Sequence, residues 1–166
     1  YAPRARRSLR RFGLVATAVF LLALAAALIA KWRQPAVVLD DGLITVLPFR
    51  VSAADPSLRY LREGMVDLVA AKLTGDYRAV DPRTVLSAWR RGGGTDDVDL
   101  VEAQGLQVAR SLQSGQALQG EIVGNAGQLV ISGTLLDAAR GTPRARARVQ
   151  GSATALAVLV DSLVAR

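Results

Sequence analysis

The side chains able to do chemistry here are carboxylates and guanidinium groups. The 166 residues hold 14 Asp and Glu and 21 Lys and Arg, with no His and no Cys. That composition excludes imidazole acid–base catalysis, thiolate nucleophiles, disulfides and Cys/His zinc sites within this chain. Glu63 and Asp67 stand one helical turn apart, but a catalytic carboxylate pair needs a cleft to shift its pKa values. Their positions fall on the polar face of a predicted helix, which points to solvent instead. Asp96, Asp97 and Asp99 follow Gly92-Gly93-Gly94 and bring oxygen ligands that calcium favours. The spacing lacks the glycine and bidentate Glu of an EF-hand loop, and capping of the following helix is the better reading. The glycines match neither G-x-x-x-x-G-K-[ST] nor G-x-G-x-x-G, so a turn is expected rather than a phosphate cradle. No Lys is placed to activate a serine, and Lys72 reads as a surface residue of an amphipathic helix. No catalytic, cofactor-binding or metal-ligating residue is therefore expected, and the chain reads as a non-enzyme.

The basic residues carry more information. Arg144, Arg146 and Arg148 alternate with Ala145, Ala147 and Val149, the period of a strand with three guanidinium groups on one face. Two readings fit: a solvated or protected sheet edge, and a contact for an acidic partner. Trp89, followed by Arg90 and Arg91, is a smaller candidate contact.

These residues are positioned behind a membrane segment. Residues 12–30 are uncharged, and Thr17 carries their single polar side chain. At about 1.5 Å per residue such a helix nearly spans a hydrocarbon core of about 30 Å. Arg4, Arg6, Arg7, Arg10 and Arg11 precede it; Lys31 and Arg33 follow it, with Trp32 at the interfacial position. The positive-inside rule sets residues 1–11 as a cytoplasmic basic arm and everything from Gln34 onward outside, in the periplasm of a Gram-negative cell. A cleaved signal peptide fits less well, because its apolar core runs about 7–15 residues and Ala27-Leu-Ile-Ala30 is a poor cleavage site. On a helical wheel Ala16, Ala23, Ala27 and Ala30 share one side, a face that lets a neighbouring helix approach closely. The net charge of +7 belongs wholly to this segment. Residues 1–33 carry seven basic and no acidic side chains, and residues 34–166 carry fourteen of each. A formally neutral outer domain argues against nucleic-acid binding, while the arm suits anionic lipid heads.

After a linker over 31–42, residues 43–166 read as one α/β (α+β) domain. Leu43–Phe49 is a buried strand ended by Pro48. Residues 51–56 are a loop, and Asp55-Pro56-Ser57 starts a helix that runs through Met65 to Leu73 and stops at Gly75. Tyr77–Val80 is a short strand. Asp81-Pro82 opens a second helix whose Val85, Leu86 and Trp89 can face a core, and residues 99–112 form a third that Gly115 closes. Two strands then flank Gly124-Asn125-Ala126-Gly127, a hairpin signal. A turn over 137–143 leads to the arginine strand, and Ser152 caps a last helix. The order is β-α-β-α-α-β-β-β-α, a mixed sheet with helices packed on it. No internal repeat is present.

Ile44-Thr-Val-Leu-Pro-Phe49, Leu61-Arg-Glu-Gly-Met65, Leu68-Val-Ala-Ala-Lys-Leu73 and Val80-Asp-Pro-Arg-Thr-Val85 resemble the TolB amino-terminal-like domain and the related FlgO-like domains. Gln119-Gly-Glu-Ile-Val123, Leu129–Asp137 and Gly141 resemble that family's closing hairpin. The departures are Leu112-Gln-Ser-Gly-Gln116 before the hairpin and the lack of a following β-propeller or tetratricopeptide array. The resemblance implies a protein-contact module without catalytic residues. The expectation is a single-pass protein of the bacterial inner membrane, an accessory subunit of a larger membrane complex, with a photosynthetic reaction-centre or antenna assembly as one guess and a respiratory or transport complex as another. Its expected partners are integral membrane subunits and the lipid bilayer, with no cofactor, nucleic acid or small-molecule substrate. A sensor or signalling module and an envelope-assembly factor are the alternatives.

Overall fold

The computed structural model describes residues 38–53, 56–95, 101–125 and 127–166. The expected arm 1–11, the membrane helix 12–30 with its alanine face, and residues 31–37 lie outside the described residues. So do Asp96, Asp97 and Asp99. Among the described residues, no helix is long and apolar enough to cross a membrane.

Apolar, β-branched residues place β1 (Asp40–Val46) inside the sheet, starting within the expected linker. It lies between two parallel neighbours, β3 (Arg78–Ala79) and β4 (Ser114–Asn125). Ile44, Thr45 and Val46 are all buried, as a strand covered on both faces requires. Pro48 has no N–H for the ladder and interrupts it. Leu47 still donates to the Leu118 carbonyl, and Phe49 donates to the Arg62 carbonyl, both at 2.9 Å. The chain then rejoins β4 as β2 (Arg50–Ala53), with Arg50 opposite Glu121. This corrects the loop expected from residue 51. β4 is twelve residues long and continues past β1, so its free edge recruits the next extended residues.

The antiparallel part is as expected in outline. β5 (Gln128–Asp137) pairs along the length of β4, and β6 (Pro143–Gly151) pairs with β5. Asn125 Oδ1 accepts from the N–H groups of Gly127 and Gln128 and holds the hairpin turn. The strand order is β3-β1-β4-β5-β6, with β2 also beside β4.

Among the described residues, four α-helices complete the domain: α1 (Leu61–Ala70), α2 (Pro82–Arg91), α3 (Glu102–Ser111) and α4 (Leu156–Val164). The Asp81 carboxylate caps α2 by accepting from Thr84 N–H at 2.9 Å, and that bond is the main cause of its lowered pKa. Four helix ends differ from expectation, the first being that α1 stops at Ala70, short of Leu73 and Gly75. Pro56–Leu58 makes a single 3-10 turn, and α1 begins only at Leu61. Ser152 caps another 3-10 turn, Ala153–Ala155, ahead of α4. α3 is turned off by Gln113, at φ 57°, and not by Gly115. Gly115 sits inside β4, where a side-chain carbon would lie 2.7 Å from the Asp40 carbonyl oxygen.

Two cores result, one on each sheet face. α1 and α4 cover the first, where Phe49, Leu61, Met65, Ile122, Ile131 and Leu163 pack together. α2 and α3 cover part of the second, over Leu47, Ala117 and Leu136, with Val85, Trp89 and Ala109 contributed by the helices. Each fully buried large side chain adds about 1.5–3 kcal/mol of transfer free energy. The observed order is β-β-α-β-α-α-β-β-β-α, the expected mixed α/β sheet with one strand more.

Candidate functional site

Strand alternation decides which side chains leave the core. In β4, β5 and β6 the residues Ile122, Ile131 and Val149 point into the first core. Their neighbours point the other way, and the register aligns them in rows. Gln119, Thr134 and Arg146 form one row; Glu121, Ser132 and Arg148 form the next. Arg50 on β2 lies beside Glu121, and Ser52 Oγ donates to Glu121 Oε1 at 3.2 Å. Toward Ala117 and Leu136 this face is roofed by α2 and α3. Beyond Gln119 the residues are half-buried or exposed, and among the described residues no helix lies over them. A depression of about 190 Å3 is bordered there by Arg50, Gln119, Glu121, Ser132 and Thr134.

The three arginines of the β6 pattern have two fates. Arg146 and Arg148 are exposed, and among the described residues neither forms an ion pair. Arg144 is withdrawn from the row. The register shifts between Leu135 and Leu136, and the resulting irregularity turns Arg144 toward Asp137 at 2.8 Å and Asp41 at 3.6 Å. The Asp137 carboxylate also accepts from the N–H groups of Ala139 and Arg140 at 3.0 Å each. The hydrogen bond from Arg144, followed by that from the Arg140 N–H, pulls its pKa down to about 2, against the opposing effect of burial. Arg144 is raised in return by the same bond. Arg144 thus locks a turn.

Trp89 is no surface contact. It is 2% exposed, held in the second core. Gly94 lies against its indole so closely that a side-chain carbon there would stand 2.2 Å from the ring. The glycine run is therefore a helix exit that packs on Trp89, with Gly93 at φ 88°. Arg90 donates to both oxygens of Glu63 at 2.7 and 2.9 Å and joins α2 to α1. Asp67 stays exposed, so the two carboxylates share no cleft. Lys72 pairs with Asp161 at 2.8 Å and joins the end of α1 to α4.

Sequence reasoning missed the row partners Arg50, Gln119, Glu121, Ser132 and Thr134. The signal was available in Gln119-Gly-Glu121 and Ser132-Gly-Thr134, polar residues two apart within apolar strands. Among the described residues, no three His, Cys, Asp or Glu side chains group as metal ligands. The arrangement offers guanidinium, amide and hydroxyl donors on an open surface, which suits recognition of a polar or acidic surface.

No protein-family model matches the chain, and no curated protein matches it. Solved structures do. The LpoB C-terminal domain from Salmonella enterica superposes with a TM-score of 0.50 at 16% identity, over 76% of this chain and 93% of that one. Lipoprotein GNA1162 from Neisseria meningitidis gives 0.52 at 16% identity, over 75% and 94%. At such identity the likeness shows the fold: the described domain has the fold of these two small domains, almost end to end. TolB from Acinetobacter baumannii gives 0.42 at 12% identity, over 76% of this chain and 28% of TolB, a score too low to carry weight. The FlgO-like resemblance has no counterpart among these three.

Proposed function

We propose that this chain is a non-catalytic accessory protein of the bacterial envelope that binds a protein partner through its open sheet face. The observation that carries the reading is the open half of that face, where Arg146 and Arg148 stand exposed and, among the described residues, without a carboxylate partner. An exposed arginine pair beside rows of hydroxyl and amide groups and the Glu121 carboxylate is the composition of a polar recognition surface. The fold shared with a domain named as a lipoprotein supports a membrane-tethered role. Residues 12–30 and the Arg-rich flank supply the tether in this reading, with the domain on the periplasmic side of the inner membrane. The partner is an integral membrane subunit, and the Ala16–Ala30 face packs on its helix.

Photo-crosslinking tests the surface. A crosslinking residue at position 146 or 148 of the full chain should give one discrete adduct in Gram-negative cells. The same residue at the exposed Arg83, on α2, should not. Adducts of equal yield from all three positions, or from none, overturn the reading. Protease added to spheroplasts tests the topology: the domain should be digested before lysis, and protection until lysis refutes it.

A further inference from the structure

Resting on that reading of a protein-binding module, we propose that β6 accepts an added strand: an extended partner segment in which acidic and aliphatic residues alternate.

β6 is a sheet edge. It is nine residues long and, among the described residues, pairs with β5 alone. Such an edge presents unpaired backbone donors and acceptors, and peptides add to them by the same ladder that joins strands within a sheet. The opposite edge, β3, has two residues and offers far less.

The two faces of β6 call for different side chains. On one face stand Arg146 and Arg148, exposed and, among the described residues, without an ion pair. On the other, Ala145 and Ala147 border a groove of about 280 Å3 that enters the first core. Leu118, Leu135, Leu163 and Val164 line it, and Tyr77, Arg146 and Arg166 also border it. Small residues make the space: Gly133 lies opposite Ala147 in the register, and a side-chain carbon there would touch only Leu118 and Leu163 at ordinary contact distance. A strand laid beside β6 alternates its own side chains in the same way. One set enters the groove, where aliphatic groups are favoured. The other set lies beside Arg146 and Arg148, where carboxylates are favoured as cross-strand pairs. Arg166 donates to the Arg148 carbonyl oxygen at 3.0 Å, so an added strand must share or displace that bond while using the remaining backbone groups of the edge.

The charge also selects against a second copy of this chain. Two β6 strands in antiparallel register set arginine against arginine, and like charges directly opposite are destabilising. The occupant is therefore an acidic segment of a different protein.

The test uses the full chain in mild detergent and a fluorescein-labelled octapeptide of four Glu-Val repeats, acetylated and amidated. Its anisotropy should rise saturably, and hydrogen exchange should slow at residues 143–151. A Lys-Val octapeptide should not bind, nor should a Glu-Val peptide N-methylated at alternate residues, which loses the ladder donors. Arg146→Glu with Arg148→Glu should weaken Glu-Val binding about tenfold and let Lys-Val bind, a swap that also shows the variant is folded. Equal binding of the N-methylated peptide, equal binding to the charge-swapped chain, or no protection at 143–151 overturns the proposal. If a crosslinker at 146 or 148 still captures one partner while no peptide protects β6, strand addition is refuted and the interaction reading stands. If the crosslinks fail as well, both are refuted.

Discussion

The second face of the sheet is two surfaces on the same strands. One half, over Ala117 and Leu136, is roofed by α2 and α3 and holds the buried Trp89. The other, two residues further along β4 and two residues back along β5, bears Gln119 and Thr134 and stands open. Length accounts for the boundary. A ten-residue helix such as α3 is about 15 Å long, whereas twelve residues of β4 extend roughly 40 Å. One short helix pair cannot roof that strand, and the sequence changes from apolar to polar where the roof ends. The comparison teaches that polarity on a strand marks where packing stops as well as which face is wet.

The largest expected effect lies in the roofed half. Trp89→Ala should destabilise a fragment of residues 36–166 by about 3–5 kcal/mol, since it removes the centre of the second core. Urea denaturation of that fragment, which should unfold cooperatively, reads the loss as a lower midpoint. A shift under 1 kcal/mol would show that α2 and α3 do not form a packed roof.

Next comes the back of the bare half, which is closed. A side-chain carbon at Gly120 would stand 1.9 Å from the Phe49 ring. Gly120→Ala should therefore cost about 1–3 kcal/mol through forced displacement of Phe49. The paired change with Phe49→Leu should recover part of it. Simple additivity of the two losses would show that the contact is not the cause.

Much of this architecture was legible in the residues, and the rest was hidden for identifiable reasons. The Asp81 cap, the Gly124–Gly127 hairpin and the core role of Met65 follow from local chemistry, and the structure has them. β2 was not legible, because Arg50-Val-Ser has one apolar side chain and its partner on β4 lies 69 residues away at the Ser52–Glu121 contact. Arg144 looked equivalent to Arg146, because alternation is blind to the irregularity that hands it to Asp137. Trp89 carried two readings, a core position beside Val85 from helical spacing and a surface contact from the two arginines that follow it, and the structure has the first. The close approaches at Gly94, Gly115 and Gly120 leave no signal in a sequence, since each depends on a distant atom.

The two ends of β6 should also differ in acid. With its pKa at about 2 against an ordinary 3.8, Asp137 binds its proton more readily in the unfolded chain than in the folded one. Its contribution is therefore complete above about pH 4 and is lost as pH falls toward 2. The fragment should keep a constant midpoint from pH 7 to 5 and lose stability below 4. Asp137→Asn should be less stable at pH 7 and show a shallower decline below pH 4. An unchanged slope in that variant would remove the Asp137–Arg144 lock from the account. Arg146→Glu with Arg148→Glu should leave the slope as it was, because neither arginine has a carboxylate to lose.

The smallest expected effect is the one that defines the bare half. Thr134 and Leu136 are two residues apart on β5 and point to the same side, one outside the roof and one beneath it. Thr134→Val keeps the β-branched shape that a strand favours and removes a hydroxyl that stands at the surface. It should alter stability by no more than about 0.5 kcal/mol, the range of ordinary surface substitutions. Leu136→Thr, the converse change beneath α3, adds a hydroxyl to a site that is 3% exposed and should cost several times as much. A crosslinker at position 148 supplies the second readout. Thr134→Val should lower its yield if the partner's polar groups reach the row of hydroxyls, while the denaturation midpoint stays put. If Thr134→Val instead destabilises the isolated fragment by more than about 1 kcal/mol, Thr134 lies under part of its own domain. The open surface then belongs to the fold and leaves no room for a partner.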